Sequence, residues 1–236
     1  MMAYTRRIIL FLVIAATSLT VQAAVEADPL LYMFTADQLE WRDGDEENIA
    51  VFEGQLWVGK DLNKLWIKSE IEATEDETEN SEWQLLYSRA IYSYWDLQVG
   101  LRSDLKPEPE RNWLALGFYG VAPYWFEIDS AIFVEEDGQV NLRLEAEYEF
   151  MLTQKWVLSP GVEINWFSED DDDLGVGSGF SQLEAGLRLR YEITRQIAPY
   201  IGINHERLLG DTEDIADAGG EESSDTQVVA GIRFWF

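Results

Sequence analysis

From Met33 onward, apolar and polar residues alternate with a period of two over segments of about a dozen residues, the repeat of a strand with two unlike faces. In 140–151, Val140, Leu142, Leu144, Ala146, Tyr148 and Phe150 share one face, opposite Asn141, Arg143, Glu145, Glu147 and Glu149. In 183–193, Leu183, Ala185, Leu187, Leu189, Tyr191 and Ile193 lie opposite Glu184, Arg188, Arg190 and Glu192. Trp95, Leu97, Val99 and Leu101 alternate with Asp96, Gln98 and Arg102. The pattern predicts strands over 33–42, 48–59, 63–74, 80–91, 93–104, 111–122, 124–135, 139–151, 154–167, 179–193, 196–208 and 224–236. Alternation allows two architectures. A soluble sandwich turns its apolar faces inward, whereas a membrane barrel turns them to lipid and lines its lumen with the charged ones.

The connections separate these readings. Odd-numbered linkers are acidic: 42–47, 75–79, 106–110, 135–138, 168–173 and the long 210–224. Even-numbered ones (60–62, Tyr92, Pro123, 152–153 and 194–196) are short and nearly free of acid. An up-and-down antiparallel barrel of about twelve strands, with long outer loops, tight inner turns and both termini in the periplasm, sorts its linkers in this way. All ten tryptophans lie near predicted strand ends, where aromatic girdles meet the membrane interfaces, although rings such as Trp57 and Trp66 have room to point inward. The chain closes on Gly231-Ile232-Arg233-Phe234-Trp235-Phe236, an alternating strand whose final Phe236 fits the terminal signal for barrel assembly.

The start of the chain fits the same compartment. Arg6 and Arg7 precede the apolar run Ile8 to Ala16, and Val21-Gln22-Ala23 forms an A-x-A-like cleavage site. The expected organisation is a signal peptide over 1–23, a short periplasmic segment over 24–32 and an all-β transmembrane barrel over 33–236, placed in the bacterial outer membrane. The chain has no cysteine, so disulfides contribute nothing. A formal charge of −28 argues against nucleic acid as a partner and favours cations.

The charged faces place Lys64, Lys68, Arg89, Arg102, Arg143, Arg188, Arg190 and Arg233 in the lumen. Against them stand Glu53, Glu70, Asp96, Glu127, Asp129, Glu145, Glu147, Glu163, Glu184 and Glu192. Such a lumen is either a structural ion-pair network or a cation path, in which surplus carboxylates lower the barrier. For a path, the candidates are Asp96, Glu127, Asp129, Glu145 and Glu147. The outer run Glu169, Asp170, Asp171, Asp172 and Asp173 either solvates the surface or gathers divalent cations weakly, because it lacks the glycine turn of an EF-hand loop. Met33, Met151 and His205 are the candidate soft or imidazole metal ligands. Catalysis needs a base beside an exposed nucleophile, and no motif sets Ser223 or Ser224 beside His205, the single histidine; the chain reads as a non-enzyme.

Several stretches resemble the copper resistance protein B family. They include 59–66 (Gly59-Lys60-Asp61-Leu62-Asn63-Lys64-Leu65-Trp66), 86–91 leading into 94–98, 122–127, 143–148, 177–179 and 224–236. They run in order over nearly the whole of 33–236. The resemblance implies an outer-membrane protein of copper homeostasis that binds copper ions or passes them, beside a periplasmic multicopper oxidase. It also implies a Met- and His-rich segment before the barrel; here that region holds only Val25-Glu26-Ala27-Asp28-Pro29-Leu30-Leu31-Tyr32-Met33. Two other readings stay open: a porin for a different small solute, and a structural barrel that docks a periplasmic partner.

Overall fold

The computed structural model describes residues 28–44, 48–74, 77–171, 174–220 and 222–236. The expected signal peptide and most of the segment that follows it lie outside these residues. Twelve antiparallel strands form one closed sheet: β1 (Leu31–Asp43), β2 (Ile49–Gly59), β3 (Asn63–Ala73), β4 (Thr78–Tyr92), β5 (Trp95–Lys106) and β6 (Arg111–Ala122). They continue as β7 (Phe126–Glu135), β8 (Val140–Glu147 with Phe150–Met151), β9 (Trp156–Phe167), β10 (Gly179–Tyr191), β11 (Ile197–Leu208) and β12 (Ser224–Trp235). Each strand pairs with its sequence neighbours, and β12 pairs with β1 to close the barrel. Every predicted strand is present, with ends within about two residues of those expected from sequence. The outer-membrane barrel is thus reached from alternation and linker sorting together.

The last residue completes the seam. Phe34 donates its N–H to the Phe236 carbonyl at 3.0 Å, and Phe236 donates back to Phe34 at 2.9 Å. Because β1 starts and β12 finishes at the end that carries the tight turns, both barrel termini lie there, which we name the turn end. The acidic connections share the opposite, loop end.

Strand β8 is interrupted at Tyr148 and Glu149, and the cause lies across the ladder. Tyr148 donates to the Pro160 carbonyl at 3.0 Å, but proline has no N–H to return the bond. The register is unchanged on either side: Glu147 faces Gly161 and Phe150 faces Leu158. A second irregularity decides the lumen. In β1 the register shifts between Ala36 and Gln38, so the inward face passes from Met33 and Thr35 to Glu40 and Arg42.

The sequence did not announce one element. The long acidic connection after β11 contains helix α1 (Asp211–Gly219). Asp211, Glu213 and Asp214 occupy its first turn, where the helix dipole favours them, and Gly220 ends it in the left-handed region, donating to the carbonyls of Ala216 and Asp217. Thr212 Oγ1 accepts from the Gly177 N–H at 2.9 Å and so ties the helix to the connection between β9 and β10.

Candidate functional site

The lumen has two unlike halves. From β3 to β7 it is filled by Trp66, Leu86, Trp113, Ala115 and Phe133, with Phe167, Leu174 and Val176 packed on the same cluster. Arg102 lies over the rings of Trp113 and Phe133, with its guanidinium carbon 5.6 and 4.6 Å from their centroids. Trp113 is 1 % exposed and donates its indole N–H to Asp104 at 2.8 Å. Strand β6 is apolar on both faces, so period-two reading could not assign Trp113 to the interior. Trp57 and Trp66 do point inward, in a tilted contact with centroids 6.2 Å apart, whereas Trp41, Trp83, Trp125 and Trp156 face outward.

The rest of the lumen is carboxylate-lined, by residues of β1–β4 and β7–β10, so that β3, β4 and β7 contribute to both parts. A central cavity of about 210 Å³ is bordered by ten carboxylates: Asp37, Glu53, Glu70, Glu82, Glu127, Asp129, Glu145, Glu147, Glu163 and Glu184. Six cationic side chains oppose them: Arg42, Lys68, Arg143, Arg188, Arg190 and Arg233. The pairing is uneven. Arg143 reaches Glu82 at 2.8 Å, Glu163 at 3.4 Å and Glu70 at 3.6 Å, and Arg188 holds Glu40 at 2.8 Å. Arg190 pairs with Glu149 and, at 3.7 Å, with Glu147, while Arg233 reaches Asp37 at 3.0 Å. Neither Glu53 nor Glu145 makes a hydrogen bond or ion pair among the described residues. Around Glu145 the ladder places Asp129 on one side and Glu163 on the other.

Of the five carboxylates expected along a path, four border this cavity. Glu127 accepts from the Tyr119 hydroxyl, Asp129 pairs with Lys68, and Glu147 faces Glu127 across the ladder. Asp96 lies nearer the turn end, outside the lining, bound to Lys64 at 3.1 Å and Ser88 at 2.9 Å. Arg89 corrects the expected lumen set: it is exposed and shares the outward face with Leu85 and Tyr87. Glu40 and Arg42 enter the lumen unannounced, because the bulge in β1 reverses the phase. Leu39 and Trp41, which need the outer face, were the signal that could have found them.

The candidate soft ligands are not brought together. Met33 stands opposite Trp57 in β1 and Met151 opposite Val157 in β8, on strands across the barrel from one another. His205 lies on the outward face with Ile201 and Ile203, its Nδ1 2.8 Å from Thr226 Oγ1. Among the described residues no cluster of three or more His, Asp or Glu side chains is placed to hold a metal ion. In the acidic connection after β9, Asp172 and Asp173 lie outside the described residues. Asp170 accepts from the Ser178 N–H at 2.7 Å, and that bond, with a lesser one from the Ser178 hydroxyl, holds its carboxyl below the usual aspartate range. Asp171 turns inward to Arg111, with Leu174 and Val176 lying against the apolar half. Glu169 precedes it with a carbonyl turned toward the Gln139 side chain.

A family model described as "Copper resistance protein B precursor (CopB)" matches residues 30–236. The chain belongs to the copper resistance protein B family. Copper resistance protein B of Escherichia coli is 42 % identical over 213 residues, covering 90 % of this chain and 72 % of that protein. The copper resistance protein B homolog of Pseudomonas syringae pv. tomato is 39 % identical over 203 residues, covering 86 % and 69 %. Among solved structures, the NanC porin matches with a TM-score of 0.52 at 12 % identity, covering 86 % of this chain and 99 % of that one; the likeness is one of fold alone. Membership of the copper resistance protein B family sets the chain among outer-membrane copper resistance proteins, not in a catalytic family.

Proposed function

We propose that this barrel passes copper ions across the outer membrane, with the carboxylate half of its lumen as the path and its turn end toward the periplasm. The observation that carries this reading is the excess of ten carboxylates over six cations around one cavity, with Glu53 and Glu145 in no hydrogen bond or ion pair among the described residues. Fixed negative charge in a low-dielectric wall lowers the barrier for a cation and raises it for an anion. Glu127, Asp129, Glu145 and Glu147 form the innermost part of the path, and Asp96 lies on its turn-end side. Oxygen donors suit Cu(II) better than Cu(I). Dispersed carboxylates suit passage, in which each site must also release the ion. Met33, Met151 and His205 are too far apart in the ladder to act as one site, so the path rests on oxygen donors. A periplasmic multicopper oxidase is the partner that the family resemblance suggests at the turn end.

The test is flux through the purified barrel in liposomes, comparing copper with zinc and with a small neutral sugar. Copper flux above that of the sugar, falling on the order of tenfold in Glu145→Gln/Glu147→Gln, is the expected result for an electrostatic path. Equal passage of all three would make the protein a general small-solute porin. No passage of any would leave a structural barrel whose role lies with a partner.

A further inference from the structure

Toward the loop end lies a second cavity, of about 570 Å³, bordered by Glu72, Glu79, Glu206, Glu222 and Asp225, with no lysine or arginine in its lining among the described residues. It adjoins the central cavity along a line of neighbouring residues. Glu206, on its border, is the ladder partner of Glu184, which borders the central cavity. Glu72 borders the outer cavity two residues from Glu70, which borders the central one. Across this line runs a single guanidinium. Arg42, from β1, reaches Glu184 on β10 at 3.2 Å and Glu72 on β3 at 3.8 Å. On one side it spans β2, and on the other β11 and β12. Its side chain is 5 % exposed.

We infer that Arg42 is the gate of the barrel: a fixed positive charge that separates the acidic vestibule from the central cavity and controls which cations pass. The inference rests on the reading of the lumen as a cation path. Apart from a hydrogen bond that Arg42 Nη2 donates to Gln38 at 3.2 Å, the contacts of Arg42 divide into an anchor and a bar. The anchor is Glu40, whose side chain is 0 % exposed and which accepts from Arg42 Nε at 2.8 Å, from Arg188 at 2.8 Å and from the Tyr200 hydroxyl at 2.9 Å. The bar is the longer pair of contacts to Glu72 and Glu184, whose side chains are about a quarter exposed (26 % and 24 %). A divalent cation drawn into the vestibule competes with the guanidinium for these two carboxylates, while Glu40 keeps Arg42 tethered. A monovalent cation competes less well and an anion not at all, so the exchange selects for charge.

The apolar half supports this placement. On that side the loop end is filled by Leu174 and Val176 against Trp113, Phe133 and Phe167, and by the Arg111–Asp171 pair. Among the described residues the vestibule is the part of the loop end that these side chains do not fill, and Arg42 stands between it and the central cavity.

The experiment is single-channel conductance of the full-length barrel in planar bilayers, with potassium chloride as the probe. Arg42→Gln is expected to raise the potassium conductance on the order of tenfold and to move the reversal potential toward greater cation selectivity. Arg42→Lys, which keeps the charge on a side chain without the fork, should fall between the two. Folding of Arg42→Gln is favoured because Glu40 retains Arg188 and Tyr200. Should it fail to fold, Glu72→Gln/Glu184→Gln keeps Arg42 in place without the two carboxylates that offset its charge, and is expected to lower potassium conductance and to move the reversal potential away from cation selectivity. Wild-type conductance in whichever of these variants folds would overturn the gate. Copper flux that is lost in Glu145→Gln/Glu147→Gln but unaltered in Arg42→Gln, with potassium conductance also unaltered, would remove the gate and leave the path. Raised potassium conductance in Arg42→Gln from a barrel that carries no copper would keep the gate and remove the copper reading.

Discussion

Glu82 pairs with two guanidinium groups at once, Arg102 at 2.9 Å and Arg143 at 2.8 Å, and its side chain is 3 % exposed. Two cations held by one buried carboxylate make that carboxylate costly to lose, because each would remain in a low-dielectric wall with reduced compensation. Glu82→Gln is expected to lower stability by about 3–5 kcal/mol, read from urea unfolding in lipid vesicles by tryptophan fluorescence. The exposed pair of Lys106 with Glu108 at 2.9 Å is the control: Lys106→Ala should leave the unfolding midpoint where it was, since exposed pairs gain little over solvation. Equal effects of the two substitutions would show that burial does not decide the worth of these pairs. None of this is visible in the sequence, where Glu82 is one acid among many.

At the scale of the element, one residue accounts for the broken strand. Pro160 in β9 accepts from Tyr148 but cannot donate back, so β8 loses a ladder bond in an otherwise regular register. Pro160→Val restores the missing donor at a position already held in extended geometry. It should stabilise the barrel by about 1 kcal/mol, the usual net worth of such a bond. Hydrogen exchange at the amide that this substitution introduces checks it: slow exchange means that the bond formed, and rapid exchange means that the break has another cause. Helix α1 is the converse case. Its short acidic sequence reads as solvated loop, yet the tie from Thr212 to Gly177 and the left-handed Gly220 cap hold it as a helix over the connection after β9.

For the whole molecule, the division of the lumen into a packed apolar half and a carboxylate half sets how it responds to salt. If the surplus carboxylates create the selectivity, added salt screens them, because the Debye length falls from about 10 Å at 0.1 M to about 3 Å at 1 M. Cation-over-anion permeability, taken from reversal potentials at the two salt concentrations, is expected to fall toward unity at 1 M. A ratio independent of salt would mean that the narrowness of the lumen, not its charge, discriminates.

The sequence by itself determined the number of strands, their direction, the sorting of tight turns from acidic loops and the outer-membrane setting. These follow from periodicity and linker chemistry, which are local and repeat twelve times, so that an error in one strand leaves the others standing. It also placed Glu127, Asp129, Glu145 and Glu147 on one inward-facing pair of strands, because β7 and β8 alternate cleanly. Tertiary structure alone decided what fills the lumen. A bulge between Ala36 and Gln38 turned Glu40 and Arg42 inward, and apolar residues on both faces of β6 hid the inward course of Trp113. Which carboxylate meets which guanidinium depends on strands far apart in the chain meeting across a closed sheet, as Arg42 and Glu184 do. A period of two specifies the face of a residue, but only closure of the barrel specifies what stands opposite it.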